Sequence, residues 1–113
     1  MVLLKNNSNL LPLNIENTKT LAIIGRLADL KNTGDHGSSN VDQPNIVTPL
    51  QGFKNQIGDK TKILFNNGKD LESAQSVAQR ADTVVIVVGY TYKDEGEYFE
   101  LFFKNGGDRI NLV

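Results

Sequence analysis

The sequence predicts an α/β fold, a three-layer sandwich with a mainly parallel sheet, present as the βαβαβ core of a partial domain. Three observations predict it. Residues 21–25, 62–65 and 83–89 are short, continuous apolar runs rich in β-branched side chains, the pattern of strands covered on both faces. Two stretches with apolar residues at helical spacing alternate with those runs. Strand, helix, strand, helix, strand is a doubly wound order, and the right-handed crossover rule sends all the strand carboxyl ends to one rim.

Taken in order, Val2-Leu3-Leu4-Lys5 reads as the tail of a helix and Leu10-Leu11-Pro12-Leu13 as a short extended segment, both outside the repeat. The first strand follows over residues 21–25. The first helix begins with Thr48 as cap and Pro49 at the first helical position, buries Leu50, Phe53 and Ile57 on one face, and stops at Gly58. After the second strand, Asp70 caps the second helix and Glu72 sits near the positive end of its dipole. Leu71, Ala74, Val77, Ala78 and Ala81 make a small-residue stripe suited to lying flat on a sheet. The third strand leads into a long polar loop over residues 90–109. Three strands make a thin sheet, so the chain is expected to be part of a larger domain.

Composition narrows the function. Thirteen acidic against twelve basic residues give a formal net charge of −1, which offers neither nucleic acid nor an anionic membrane an electrostatic footprint. The absence of cysteine excludes disulfides, thiolate metal ligation and a cysteine nucleophile. No apolar run is long enough for a secretory core or a membrane span, so no localisation is predicted. The sequon Asn6-Asn7-Ser8 is a chance-level signal in an asparagine-rich chain.

Two polar loops are expected at the rim. Gly34-Asp35-His36-Gly37-Ser38-Ser39 follows the first strand, and a loop crowded by Asp94, Glu95 and Glu97 follows the third. A nucleotide reading of the first is disfavoured, because Gly25-Arg26-Leu27-Ala28-Asp29 lacks the later glycines of a dinucleotide loop and no G-K-[ST] occurs. His36 beside Asp35, Ser38 and Ser39 does not make a serine triad, whose members come from separate elements; a turn held by Asp and Ser hydrogen bonds fits better. The acidic group, with Asp42 and Glu100 elsewhere, lacks the spacing of a calcium loop. An acidic run is most often a solvated face, but repulsion among neighbouring carboxylates together with partial burial raises pKa values, which is what a general acid near neutral pH needs.

The order of these pieces resembles the carboxyl-terminal α/β sandwich domain of glycoside hydrolase family 3, the β-glucosidases, β-xylosidases and related enzymes. The pieces are Val2-Leu3-Leu4-Lys5-Asn6 with Leu10-Leu11-Pro12-Leu13; Leu21-Ala22-Ile23-Ile24-Gly25 with Ala28-Asp29; the loop of residues 34–39 followed by Val47-Thr48-Pro49-Leu50-Gln51-Gly52; Ala81-Asp82 with the third strand; and Glu95-Gly96-Glu97 before Gly107-Asp108-Arg109. The resemblance implies that residues 1–19 are a linker leading into the domain and that residues 20–113 are its N-terminal part. It implies a retaining β-glycosidase, β-glucosidase-like and acting on terminal β-D-glucosides or oligosaccharides, whose nucleophilic aspartate sits on a preceding barrel-like domain absent from this chain. This chain then supplies the acid/base loop and one side of the sugar cleft, with no cofactor and no metal, and is inactive alone.

The resemblance implies Glu97 as the acid/base, with Glu95 as second choice, since Glu97 follows Gly96 and stands eleven positions before Asp108, like the family's Gly-Glu before its Gly-Asp-Arg segment. The same resemblance assigns Asp35, His36, Ser38 and Ser39 to substrate binding; the opposite charges of Asp108 and Arg109 suit an ion pair bracing the acidic loop. A non-catalytic sugar-binding or domain-packing module is the alternative.

Overall fold

The structure, a computed structural model, describes residues 1–33 and 41–94. Strand β1 (Thr20–Ile24) is followed by helix α1 (Pro49–Ile57), strand β2 (Lys62–Asn66), helix α2 (Leu71–Gln79) and strand β3 (Thr83–Ile86). The strands form one parallel sheet in the order β2-β1-β3, with Thr20 in register with Lys62 and Leu21 with Thr83. The α/β sandwich read from the sequence is therefore the observed architecture, with β1 central.

A strand covered on both faces has to be apolar at every position, and Leu21, Ala22, Ile23 and Ile24 are all buried. Successive side chains point to opposite faces. Leu21 and Ile23 join Leu50 and Ile57 of α1, while Ala22 and Ile24 join Ala74 and Val77 of α2. The two helices thus cover opposite faces, and the sheet is the middle layer. Burial of a side chain such as Leu21 or Ile23 contributes about 1.5–3 kcal/mol. Leu13 and Ile15 pack against the α1-side cluster, so part of the stretch before β1 lies on this core.

Local chemistry sets the helix ends. The Thr48 hydroxyl accepts from the Gln51 amide at 3.2 Å and donates to Asp29 at 3.0 Å, so one group caps α1 and ties it to the turn after β1. Asp70 accepts from the Glu72 and Ser73 amides at the start of α2. Asp82, just before β3, accepts from the amides of both Lys19 and Thr20 at 2.9 and 2.8 Å, locking the start of β3 to the start of β1. Asn6 and Leu11 exchange a pair of 2.9 Å bonds that close the N-terminal turn.

Three local expectations differ from the structure. Residues 2–5 are not helical, and Val2, Leu3 and Leu4 are exposed; so short a segment with no apolar face to cover it cannot repay helix nucleation. The stretch 10–13 is not simply extended, since Leu10 adopts helical angles and the Leu11–Pro12 peptide is cis. Leu71 is exposed instead of joining the α2 stripe, because at the first helical position it lies beyond the sheet contact made by Ala74 and Val77.

Candidate active site

The carboxyl ends of β1 and β3 adjoin, and the chain leaves β1 for β2 on one side and reaches β3 on the other. That is a topological switch point, where open α/β sheets form their ligand crevice. A cleft of about 460 Å³ lies there on the α2 side, walled by Ile24, Ala74, Ile86 and Val88, with Arg26 and Lys69 at its polar margin. A smaller cleft of about 260 Å³ lies on the α1 side, between Leu27, Leu30, Asn32 and Val47. Both have mainly apolar walls, with Arg26, Asn67 and Lys69 in the first and Asn32 in the second as the side chains able to hydrogen-bond a polar ligand.

The floor of the site is set by close backbone approach. Gly25 leaves β1 with φ +133°, and a Cβ there would overlap the Val87 carbonyl oxygen; only glycine fits. Its amide donates to the Asn66 carbonyl at 2.9 Å, and the Val87 amide donates to the Ile24 carbonyl at 2.8 Å. The origin of the first loop is thereby fixed against both flanking strands.

From this floor the two loops are joined by side chains. Arg26 donates from Nη2 to Asp94 Oδ2 at 2.9 Å, an ion pair linking the first residue after Gly25 to the loop beyond β3. Asn32 donates to the Tyr90 carbonyl at 2.8 Å. The Asp94 oxygen also accepts from the amide and hydroxyl of Thr91, both at 2.9 Å, while the Asp94 amide donates back to the Thr91 carbonyl at 2.9 Å. Thr91 and Asp94 thus close a reciprocal turn like those that begin helices.

This arrangement determines the ionisation of Asp94. The Thr91 amide, then the Thr91 hydroxyl, then the Arg26 guanidinium favour the carboxylate, and against the opposing effect of burial they hold its pKa at about 2, below the ordinary 3.8. Repulsion among neighbouring carboxylates together with partial burial predicts raised pKa values; at Asp94 the direction is the opposite. Asp94 is an anchor that stays ionised, and it is unsuited to donating a proton near neutral pH.

Glu97, Glu95, Asp35, His36, Ser38 and Ser39 all lie outside the described residues, as do Glu100, Asp108 and Arg109. What the structure gives is the stems from which they depart, Asn32 and Thr33 on one side and Asp94 on the other, cross-linked at the same sheet edge. Asp42 is exposed. Among the described residues, no group of three or more acidic or histidine side chains is gathered for a metal ion.

Sequence reasoning missed Arg26, Asn32 and Thr91. As sequence, residues 25–29 lack a dinucleotide fingerprint and resemble the family's first strand end, but nothing local shows that Arg26 and Asp29 each hold a distant element. The Thr91-x-x-Asp94 spacing carried the signal for the turn, since a carboxylate three positions after a threonine can accept from both its amide and its hydroxyl.

The chain matches the model of the glycosyl hydrolase family 3 C-terminal domain over residues 1–112. It is 35% identical, over 99% of its length, to a protein named beta-xylosidase from Formosa agariphila, and 35% identical, again over 99%, to beta-D-xylosidase 3 of Arabidopsis thaliana. It is 28% identical over 88% of its length to thermostable beta-glucosidase B of Acetivibrio thermocellus. The chain spans 16%, 14% and 14% of the lengths of these relatives. No solved structure matches it significantly.

Proposed function

The chain belongs to the glycosyl hydrolase family 3 C-terminal domain family, and from that premise we propose that it is part of a retaining β-glycosidase in which Glu97 is the acid/base. Glu95 is the second choice for that role. A barrel-like domain elsewhere in the same enzyme supplies the nucleophilic carboxylate. Asp35, His36, Ser38 and Ser39 contact the sugar. Terminal β-D-glucosides are the first substrate class to test, and β-xylosides the second.

The observation that carries the reading is the joining of the two loop stems: Arg26 with Asp94 and Asn32 with the Tyr90 carbonyl bring the chain leading to residues 34–39 and the chain leading to Glu97 to one sheet edge. Retaining hydrolysis needs two carboxyl groups ~5 Å apart across the sugar. The nucleophile attacks the anomeric carbon while the acid passes its proton to the departing glycosidic oxygen. The same group, now a carboxylate, takes a proton from water as that water displaces the nucleophile and releases the sugar. Asp94, with its pKa held at about 2 and so ionised near neutral pH, leaves the proton-transfer role to a neighbouring glutamate.

The test is Glu97→Ala in the full-length enzyme. Hydrolysis of an alkyl glucoside is expected to fall by ~10²–10⁴-fold, the usual contribution of a general acid or base. With a dinitrophenyl glucoside, whose leaving group needs no proton, the first step survives and added azide yields the glycosyl azide. Unchanged turnover of the alkyl glucoside and alkyl xyloside would refute Glu97 and send the same assay to Glu95→Ala.

A further inference from the structure

We propose that Arg26 and Asp94 are positioning residues for the reaction, coupling the rigid end of β1 to the start of the Glu95–Gly96–Glu97 segment. The proposal rests on reading that segment as the source of the acid/base.

A lone exposed ion pair contributes little, because water and salt screen it and two side chains must be ordered to form it. The Arg26–Asp94 pair is built differently. The Asp94 carboxylate is held from its own loop by the amide and hydroxyl of Thr91, itself buried, so the acceptor is already oriented when Arg26 reaches it. Arg26 in turn follows directly on Gly25, whose backbone is bonded to β2 and abuts Val87 without room for a Cβ. Neither partner hangs from a free chain. Asn32 and the Tyr90 carbonyl make a second tie between the same loops, so the pair resists sliding and hinging alike. Glu95 is the next residue after Asp94, and Glu97 is three positions on. A fixed carboxylate at Asp94 sets where that segment begins. Acid catalysis is sensitive to such placement, since a shift of about 1 Å can cost ~10²-fold in rate.

The chemistry of proton donation gives a readout that a merely structural role would not move. In the full-length enzyme, Arg26→Met, Asp94→Asn and the double variant are compared on an alkyl and on a dinitrophenyl β-glycoside of the sugar that the enzyme turns over. Each single variant is expected to lower kcat/KM, which reports the first step, on the alkyl substrate by ~10- to 100-fold, with a much smaller loss of kcat/KM on the dinitrophenyl substrate. The double variant should be no worse than either single one, because both remove one link. Arg26→Lys, which keeps the charge but changes the fork, should fall between wild type and Arg26→Met. Arg26 is 52% exposed, so these substitutions leave the core intact, and thermal melting checks it. Equal losses of kcat/KM on both substrates, additive losses in the double variant, or an unchanged kcat/KM on the alkyl substrate would each overturn the proposal. Glu97→Ala assayed alongside separates the two ideas. If Glu97→Ala loses the alkyl activity and the Arg26 and Asp94 variants do not, only the positioning role fails. If Glu97→Ala is fully active while the Arg26 and Asp94 variants show the leaving-group effect, the acid is another residue and the positioning role stands.

Discussion

At the residue scale, the clearest case is Asp94, because its surroundings reverse the expectation drawn from its neighbours. Reading Asp94, Glu95 and Glu97 together suggests repulsion and raised pKa values; the folded loop instead gives Asp94 three donors on one oxygen. The folded pKa of about 2 lies below the ordinary 3.8, so the proton is bound more weakly in the folded state. The stabilisation this provides is fully present above about pH 3.8 and is lost as pH falls through about 2. A carboxyl ¹³C titration is expected to give Asp94 a midpoint near 2, and Arg26→Met should move that midpoint upward because one of the three donors has gone. A midpoint that Arg26→Met leaves unmoved would show that the ion pair does not form in solution. The acidic letters were legible in the sequence. Their donors were not, since Arg26 is 68 positions away along the chain.

At the element scale, the start of α1 shows how a motif residue serves two purposes. Thr48 and Pro49 announce a helix start from sequence alone, and the helix begins there. What the local pattern does not contain is Asp29, which accepts the Thr48 hydroxyl proton and so turns the oxygen's free lone pair toward the Gln51 amide. Thr48→Ala is expected to destabilise the fold by about 1–2 kcal/mol, as loss of a cap does, and Asp29→Ala should cost less while reducing protection of the Gln51 amide. Urea unfolding with amide exchange measures both; a Thr48→Ala variant as stable as wild type would mean that the cap is replaced by water. The third strand shows the limit of pattern reading. The apolar run through Gly89 extends beyond the strand, which ends at Ile86, because regular pairing needs a partner and β1 gives way to Gly25 after Ile24. Apolar runs mark where a strand can form, and the neighbouring strand decides where it stops.

At the scale of the whole molecule, coverage is uneven. The helices bury both faces of β1, but Val84, Ile86 and Val88, on the α2-facing side of β3, are exposed at 39%, 65% and 81%. Among the described residues, β3 pairs with β1 alone, leaving its other edge open. An open parallel edge beside an apolar stripe favours self-association. Produced as these 113 residues alone, the polypeptide is expected to associate at micromolar concentration by analytical ultracentrifugation, and Ile86→Lys with Val88→Lys should shift it toward monomer. A monodisperse wild-type polypeptide would contradict this. The sequence foretold a thin sheet in need of cover, but only the strand order shows that the exposed side belongs to β3.

The sequence by itself determined the identity and order of the strands and helices, the capping residues and the family, because those depend on periodicity and on contacts between near neighbours. Tertiary structure alone decided that β1 is central, that Gly25 must meet Val87, and that Arg26 and Asn32 reach across to Asp94 and Tyr90. Such pairings join positions tens of residues apart, and their energies exist only once the sheet has brought the strand ends together.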